Sequence, residues 1–368
     1  MTPQPHLPVR NVTTSSRLAQ LSLDDVEAVM RRHSGAADDG CADYLAGLVC
    51  DHLETGGKRI RARLALAAAS ALGVSTTTAT PWAAAVELLH NATLVHDDLQ
   101  DGDRTRRGRP TTWAVHGMAQ AINCGDLMLM LPTLLAAEVP ASEAVRFRLS
   151  TSLARRAAAT VRGQAADLNL RSTVDHGDPV DAYIRCIEGK TGELFALPVE
   201  GAALIAGHDV DTARALAEPF FVLGQLFQLQ DDVLDLFGDK GRDARGADVR
   251  EGKVSALVVE HLRLHPADRA WLLNILDTPR DDTADVDVAA VIDRFERGGA
   301  LTAVLRRIGA LATRAHQAPA HAERPELQAL VVELIGLVLK PIQALYATIV
   351  VDDTSGTFPC SFSARVDA

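Results

Sequence analysis

Two sets of aspartates with one shared spacing have the strongest claim to chemistry. Asp97, Asp98 and Asp101 form the first set, and Asp231, Asp232 and Asp235 form the second. Each follows an apolar run, Trp82 to Val95 in one case and Pro219 to Leu229 in the other. Helical positions four apart share a face, so Asp97 and Asp101 stack and Asp98 projects beside them. Three like charges in one turn repel unless a cation lies among them. Mg²⁺ fits that place, because it prefers oxygen ligands and keeps waters or phosphate oxygens in its shell. Two such turns facing each other could grip one diphosphate through several ions. Other Asp-Asp pairs behave as controls: Asp24-Asp25 marks a helix start, Asp281-Asp282 a polar loop, and Asp352-Asp353 the tail.

Cations stand near both sets. Gly56-Gly57 precedes Lys58, Arg59, Arg61 and Arg63, at the opening of a helix expected to run to about Leu72. Cations at a helix N-terminus oppose its dipole, and a bound anion would offset that cost. Lys58 and Arg61 share a face. Arg104, Arg106, Arg107 and Arg109 follow the first acidic set in a segment with Gly102 and Gly108. Metal ions could then hold one edge of a diphosphate and arginines the other. Gln225, Gln228 and Gln230 lie in or beside the second apolar run and need partners if buried.

The elements that carry these residues read as helices. The 368 residues are 47% hydrophobic but only 4% aromatic, so the core must be built from small and aliphatic side chains. Ala and Leu lose little entropy in helices, and strand-like alternation is scarce. The expected fold is all-α, a single large helical bundle around a central cavity, spanning residues 22–351. Residues 1–21 are expected to be a loose arm and 352–368 a disordered tail. The net charge of −11 disfavours nucleic acid and anionic lipid. Cys41, Cys50, Cys124, Cys186 and Cys360 include no CxxC pair and are odd in number. That argues against a disulfide framework or zinc site and suits a reducing, cytoplasmic setting. No signal core is evident, and no apolar run is expected to be long enough to cross a bilayer. Leu330–Leu339 carries Glu333 and reads as a core helix.

The strings GGKRIRARL, ELLHNATLVHDDLQDGDRTRRGRPT, AINCGDLML, GQAADL, EGKTGELFALP and LGQLFQLQDDVLDLFGD occur in this order. In order and spacing the chain resembles the trans-isoprenyl diphosphate synthases, the polyprenyl synthetase family, and within it most the geranylgeranyl diphosphate synthases. The resemblance runs from about Leu45 to Lys253 and more weakly to about Ala347. It implies a homodimer of the isoprenoid synthase type I fold, with three Mg²⁺ ions per site when substrate is bound. It makes Asp97, Asp98, Asp101, Asp231, Asp232 and Asp235 the metal-binding set. Lys58, Arg61, His90 and Arg107 resemble the isopentenyl diphosphate site. Arg106, with Lys190 and Lys253, resembles the allylic diphosphate site. Lys190, Thr191 and Gln228 correspond to residues beside the reacting carbons, and Lys253 to a lysine that closes over them. The loop after the second acidic set departs from the family, and Lys240, Arg242 and Arg245 are alternative replacements for its usual lysine. His96 is expected to support Asp97.

The implied reaction is head-to-tail condensation of isopentenyl diphosphate with dimethylallyl, geranyl or farnesyl diphosphate. Ala92 and Thr93 lie about one turn before Asp97 and are small, so a growing tail could pass them. That implies a product of C20 or longer, with deeper walls at Leu88, Leu89, Leu127 and Met130. On this reading Ala92→Phe shortens the products, and an unchanged product length in that variant discards the assignment. The rival readings are a terpene cyclase on the same fold, which needs no isopentenyl diphosphate site, and a non-catalytic regulatory subunit, which need not keep both acidic sets.

Overall fold

In the computed structural model, residues 17–37, 40–41, 43–173, 179–238 and 245–346 are described. Thirteen of its helices have nine residues or more. They are α1 (Asp24–His33), α2 (Tyr44–Leu53), α3 (Ile60–Ala71), α4 (Thr76–Gln100), α5 (Met118–Glu138), α6 (Glu143–Leu168), α7 (Pro179–Ile187), α8 (Glu193–Ile205), α9 (Val210–Phe237), α10 (Ala256–Leu264), α11 (Asp285–Arg297), α12 (Ala300–His316) and α13 (Pro325–Leu339). Extended structure among the described residues is confined to two hairpins of two-residue strands. The all-α expectation therefore holds.

Polar caps set the starts of the long helices. Ser75 accepts from the Thr78 amide at 3.1 Å and opens α4. Asp209 accepts from the Thr212 amide at 2.8 Å and opens α9. Each cap satisfies an amide that the first turn leaves without a partner. Two helices are buried on every side in their middle stretches: Trp82–Leu89 of α4 and Leu194–Leu204 of α8 are continuously buried. Such helices belong at the centre of a bundle. α3 and α5 pack on α4, while α3, α6 and α9 pack on α8. One charged residue inside α8 is deliberately partnered. Glu200 accepts from Ser152, Arg155 and Arg156, all on α6, at 2.6–2.9 Å. Burial alone would raise its pKa, but the two guanidiniums hold it low.

Between α7 and α8 the chain makes one π-helical turn, Glu188–Gly192. Such a turn widens the helix and is often found where a side chain must be re-aimed. Here it is clamped on two sides by glycines. A Cβ on Gly163 of α6 would lie 2.2 Å from the Lys190 amide nitrogen. A Cβ on Gly224 of α9 would lie 2.7 Å from Gly192 Cα and 2.9 Å from the Thr191 carbonyl oxygen. Both contacts are with backbone, so neither neighbour can swing away.

The ends differ from the loose arm expected up to residue 21. Arg17–Gln20 is a short helix with Leu18 only 4% exposed. Arg63 donates to the Leu18 and Leu21 carbonyls at 2.7 and 2.8 Å, and the Leu18 amide donates to Glu333 at 3.1 Å. The rest of the arm, 1–16, and the tail, 352–368, lie outside the described residues. Two helical stretches, Met118–Glu138 and Pro325–Tyr346, are long and apolar enough to cross a membrane, contrary to the sequence reading. α13 does bury Leu327, Leu330, Val331, Leu334, Ile335 and Val338 in the core.

Gly224→Ala tests the clamp. Overpacking of this kind costs about 1–3 kcal/mol. The variant should unfold at lower urea concentration and lose turnover, because the π turn carries Lys190 and Thr191. Wild-type values on both measurements would show that the turn can yield.

Candidate active site

The two acidic sets meet at one cavity of about 940 Å³. Asp97, at the C-terminal end of α4, and Asp231, near the end of α9, both line it. Lys190 and Thr191 of the π turn also line it, as do Lys58, Arg61, His90, Thr93, Arg106, Arg107 and Gln228. The apolar part of the wall includes Leu94, Leu129, Val161, Leu168, Leu194 and Phe227.

Adjacent residues of the π turn join the two sets. Lys190 Nζ lies 3.2 Å from Asp97 and 2.8 Å from Asp167. Burial opposes its charge, but these two carboxylates outweigh it and raise the pKa. Thr191 Oγ1 donates to Gln228 Oε1 at 3.1 Å, and Gln228 Nε2 donates to Asp232 Oδ1 at 3.1 Å. Gln228 thus finds the partners a buried glutamine requires. Gln225 Nε2 finds none among the described residues. Lys253 reaches back from beyond α9 to the first set, with Nζ 2.9 Å from Asp101 and 3.0 Å from Glu251.

The six aspartates divide into two kinds. Asp97 and Asp231 face the cavity. Asp101 caps α4 and takes Lys253; burial first, and then the charge of Asp97, raises its pKa. Asp98 is 2% exposed and accepts from Arg106 Nε at 2.6 Å. Asp232 is 5% exposed and accepts from the Tyr183 hydroxyl at 2.6 Å and the Ala256 amide at 2.7 Å. Burial pushes its pKa up to about 6. Asp235 is buried and accepts from the Asp248 amide at 3.1 Å. Asp98, Asp232 and Asp235 are turned to protein donors, whereas the resemblance implied metal binding by all six. Helix geometry explains it for Asp98 and Asp232, since neighbours on a helix point about 100° apart and an Asp-Asp pair cannot share one target; Asp235 shares a face with Asp231 and takes the Asp248 amide instead.

The four cations at the start of α3 divide as well. Arg59 sits in the left-handed region at φ 47°. Its guanidinium donates to Glu27 at 2.7 Å, Asn91 at 3.3 Å and the Leu53 carbonyl at 2.7 Å. Arg63 ties down the N-terminal segment. Lys58 and Arg61, the pair expected to share a face, line the cavity, and Arg59 borders it as well. Arg61 lies over the Phe195 ring at 5.1 Å, and burial lowers its pKa to about 10. Burial, then Arg61, Arg106 and Arg107, keep His90 neutral.

The arginine segment after Asp101 is a hairpin pairing Thr105 with Pro110 and Arg106 with Arg109. Arg107 and Gly108 form its two-residue turn with φ of 52° and 77°. Positive φ at both positions is the mark of the turn that matches strand twist. Gly is at ease there and Arg is not, so Arg107 is held by more than local preference. Its guanidinium donates to the Gly56 carbonyl and packs where a Cβ on Gly57 would lie.

Several expectations need correction. Ala92 is fully buried and does not line the cavity, whereas Thr93 does. Leu88 and Leu89 are core residues and Met130 is 64% exposed; the wall residue on α5 is Leu129. His96 turns toward α5, 3.5 Å from Asp126, rather than supporting Asp97. The side chain that supports Asp97 is Gln164, donating at 2.8 Å. Gln164 and Asp167 both lie in GQAADL, a string that carried the resemblance but received no role. Tyr183 had no sequence signal. Of the candidate loop cations, Lys240 and Arg242 lie outside the described residues and Arg245 is exposed.

Comparison with known proteins agrees with this geometry. The family model for polyprenyl synthetase matches residues 43–293. The chain belongs to the polyprenyl synthetase family. A geranylgeranyl diphosphate synthase of Mycobacterium tuberculosis is 38% identical over 253 residues, 66% of this chain and 69% of the relative. A (2E,6E)-farnesyl diphosphate synthase of Mycobacterium bovis is 36% identical over 252 residues, 66% and 68% of the two chains. The crystal structure of a polyprenyl synthetase from Streptomyces coelicolor A3(2) superposes with a TM-score of 0.78 at 27% identity, covering 87% of this chain and 98% of that one.

The wall assignment can be tested by paired substitutions. Thr93→Phe should shift products toward shorter chains, read by chromatography of the dephosphorylated alcohols. Ala92→Phe should chiefly destabilise the fold, by about 1–3 kcal/mol of overpacking. Shortened products from a stable Ala92→Phe variant would reverse the two roles.

Proposed function

We propose that the protein condenses isopentenyl diphosphate head to tail with an allylic diphosphate in a Mg²⁺-dependent reaction, giving geranylgeranyl diphosphate or a longer product. One observation carries this reading: Asp97 and Asp231 border the same cavity as Lys58, Arg61, His90 and Arg107. A single pocket therefore offers a carboxylate end and a cationic end. The relatives named for C15 and C20 products do not distinguish between those lengths, and the C20 choice rests on the small side chain of Thr93.

The donor set suits Mg²⁺. Asp97, Asp101 and Asp231 offer only oxygen, and no three His, Cys, Asp or Glu side chains form a closed cage among the described residues. An ion that retains waters and phosphate oxygens needs no such cage. When bound, Mg²⁺ supplies charge stabilisation for the departing diphosphate. Lys190, Lys253 and Arg106 add fixed positive charge at the same end. Lys58, Arg61 and Arg107 hold isopentenyl diphosphate, and neutral His90 offers a hydrogen bond without repelling them. Thr191 and Gln228 border the reacting carbons. The apolar wall, with Leu94, Leu129 and Phe227, keeps water from the allylic cation. The cation takes the double bond of the isopentenyl group and a proton then leaves. None of these side chains is an evident base, and the released diphosphate is the acceptor. Positioning of the two substrates supplies much of the acceleration.

We also propose a homodimer. Met118, Ile122, Met130 and Leu134 form an exposed apolar stripe along α5, with Phe147 and Val161 exposed on α6. A second copy presenting the same stripe would cover it. Sedimentation should give twice the chain mass for the wild type and a lighter species for Met130→Glu/Leu134→Glu. A wild-type monomer at micromolar concentration would reject the dimer.

Incubation with Mg²⁺, isopentenyl diphosphate and each allylic primer should yield elongated diphosphates. Chelation should abolish turnover, and Asp97→Ala or Asp231→Ala should cost at least about a hundredfold in kcat/KM. Hydrocarbon products would indicate a cyclase. Inert protein would indicate a regulatory subunit. Undiminished turnover after chelation would refute the metal assignment.

A further inference from the structure

Asp232 accepts three hydrogen bonds from protein donors. Its Oδ2 accepts from the Tyr183 hydroxyl at 2.6 Å and from the Ala256 amide at 2.7 Å. Its Oδ1 accepts from Gln228 Nε2 at 3.1 Å. These donors come from three helices, α7, α10 and α9 itself. Tyr183 is 3% exposed, and its O–H has this carboxylate as its acceptor.

A carboxylate held on both oxygens is restricted in where it can turn. Restriction of Asp232 passes to Gln228. An amide has an oxygen end and a nitrogen end, and only one orientation serves both neighbours here. With Nε2 committed to Asp232, Oε1 must face Thr191, whose hydroxyl donates to it at 3.1 Å. Thr191 and Gln228 both line the cavity, whereas Tyr183 and Asp232 do not. The line of bonds thus runs from an interior phenol to two side chains on the reaction wall.

We propose that Tyr183 is a positioning residue: through Asp232 it fixes the orientation of the Gln228 amide and with it Thr191, and it keeps Asp232 in the frame as a hydrogen-bond hub instead of a metal ligand. This rests on the synthase reading above. Tyr183 touches neither substrate nor metal. Its contribution is to the geometry of the wall, where small displacements are costly to turnover. The cationic end of the cavity belongs to α3, α4 and the arginine hairpin and is independent of this line.

The test uses Tyr183→Phe, which keeps the ring and removes only the O–H. We expect kcat to fall about tenfold while KM for isopentenyl diphosphate and for the allylic diphosphate each change less than twofold. Mn²⁺ binding in the presence of inorganic diphosphate, followed by electron paramagnetic resonance, should stay within twofold of wild type. Asp232→Asn supplies the cycle: the double variant should be no slower than Asp232→Asn alone, because Tyr183 acts through that carboxylate. If Asp232→Asn has no measurable turnover, the urea midpoint is read in its place, and the double variant should match Asp232→Asn. Wild-type kcat in Tyr183→Phe, additive losses in the cycle, or a tenfold loss of Mn²⁺ affinity would each overturn the proposal. A wild-type protein that makes no elongated product would instead refute the synthase reading, and the urea cycle would still report on the hydrogen-bond line.

Discussion

Like charges gathered in a partly dry cavity must be answered one by one, and the rest of the site follows from how this is done. The repulsion between carboxylates on one helical turn grows as solvent is excluded. Each aspartate that faces inward therefore has its own donor: Arg106 for Asp98, Tyr183 and Ala256 for Asp232, the Asp248 amide for Asp235. Lys190 and Lys253 balance Asp97 and Asp101. Asp231 lines the same cavity and has interactions of its own.

That balance depends on the π turn being where it is. Lys190 serves the first acidic set and Thr191 serves the second, so two consecutive residues must point at different helices. A regular α-helical turn would place them about 100° apart with no freedom to adjust. The widened turn supplies the adjustment, and the glycines at 163 and 224 let the neighbouring helices close on it at backbone distance. A packing constraint of the core thereby sets an electrostatic constraint of the cavity. The same economy appears at the other end, where Arg59 closes the start of α3 on Glu27 and Asn91 and so aims Lys58 and Arg61 inward.

Much of this was legible in the sequence, for stated reasons. Helix content followed from an Ala- and Leu-rich composition with few aromatics, and the two acidic sets stood out by their repeated spacing. Spacing also paired Lys58 with Arg61, which both line the cavity, although Arg59 lines it too. What spacing could not supply was rotation about the helix axis at single-residue precision. Ala92 and Thr93 differ by one position, and only the second reaches the cavity. Nor could it supply partners distant in the chain. Tyr183 meets Asp232 across 49 positions, and Lys253 meets Asp101 across 152. Such pairs depend on how α7 and the segment after α9 pack, which no local pattern records. Two-residue hairpins are equally invisible until a residue such as Arg107 is seen at positive φ.

The cavity is divided by charge, and the division assigns different requirements to two anionic substrates. At one end lie Lys58, Arg61 and Arg107, and burial first, then the charges of the neighbouring arginines, keeps His90 neutral. A diphosphate can dock at that end on side chains alone. At the other end Asp97, Asp101 and Asp231 would repel a diphosphate that arrived unaccompanied, since Lys190 and Lys253 are already engaged by carboxylates. Under the proposed function, the substrate that loses its diphosphate would meet the carboxylate wall together with its metal ions, and the one that keeps its diphosphate would meet the cationic wall. Selectivity between leaving and remaining groups would then lie in the sign of the wall each one meets.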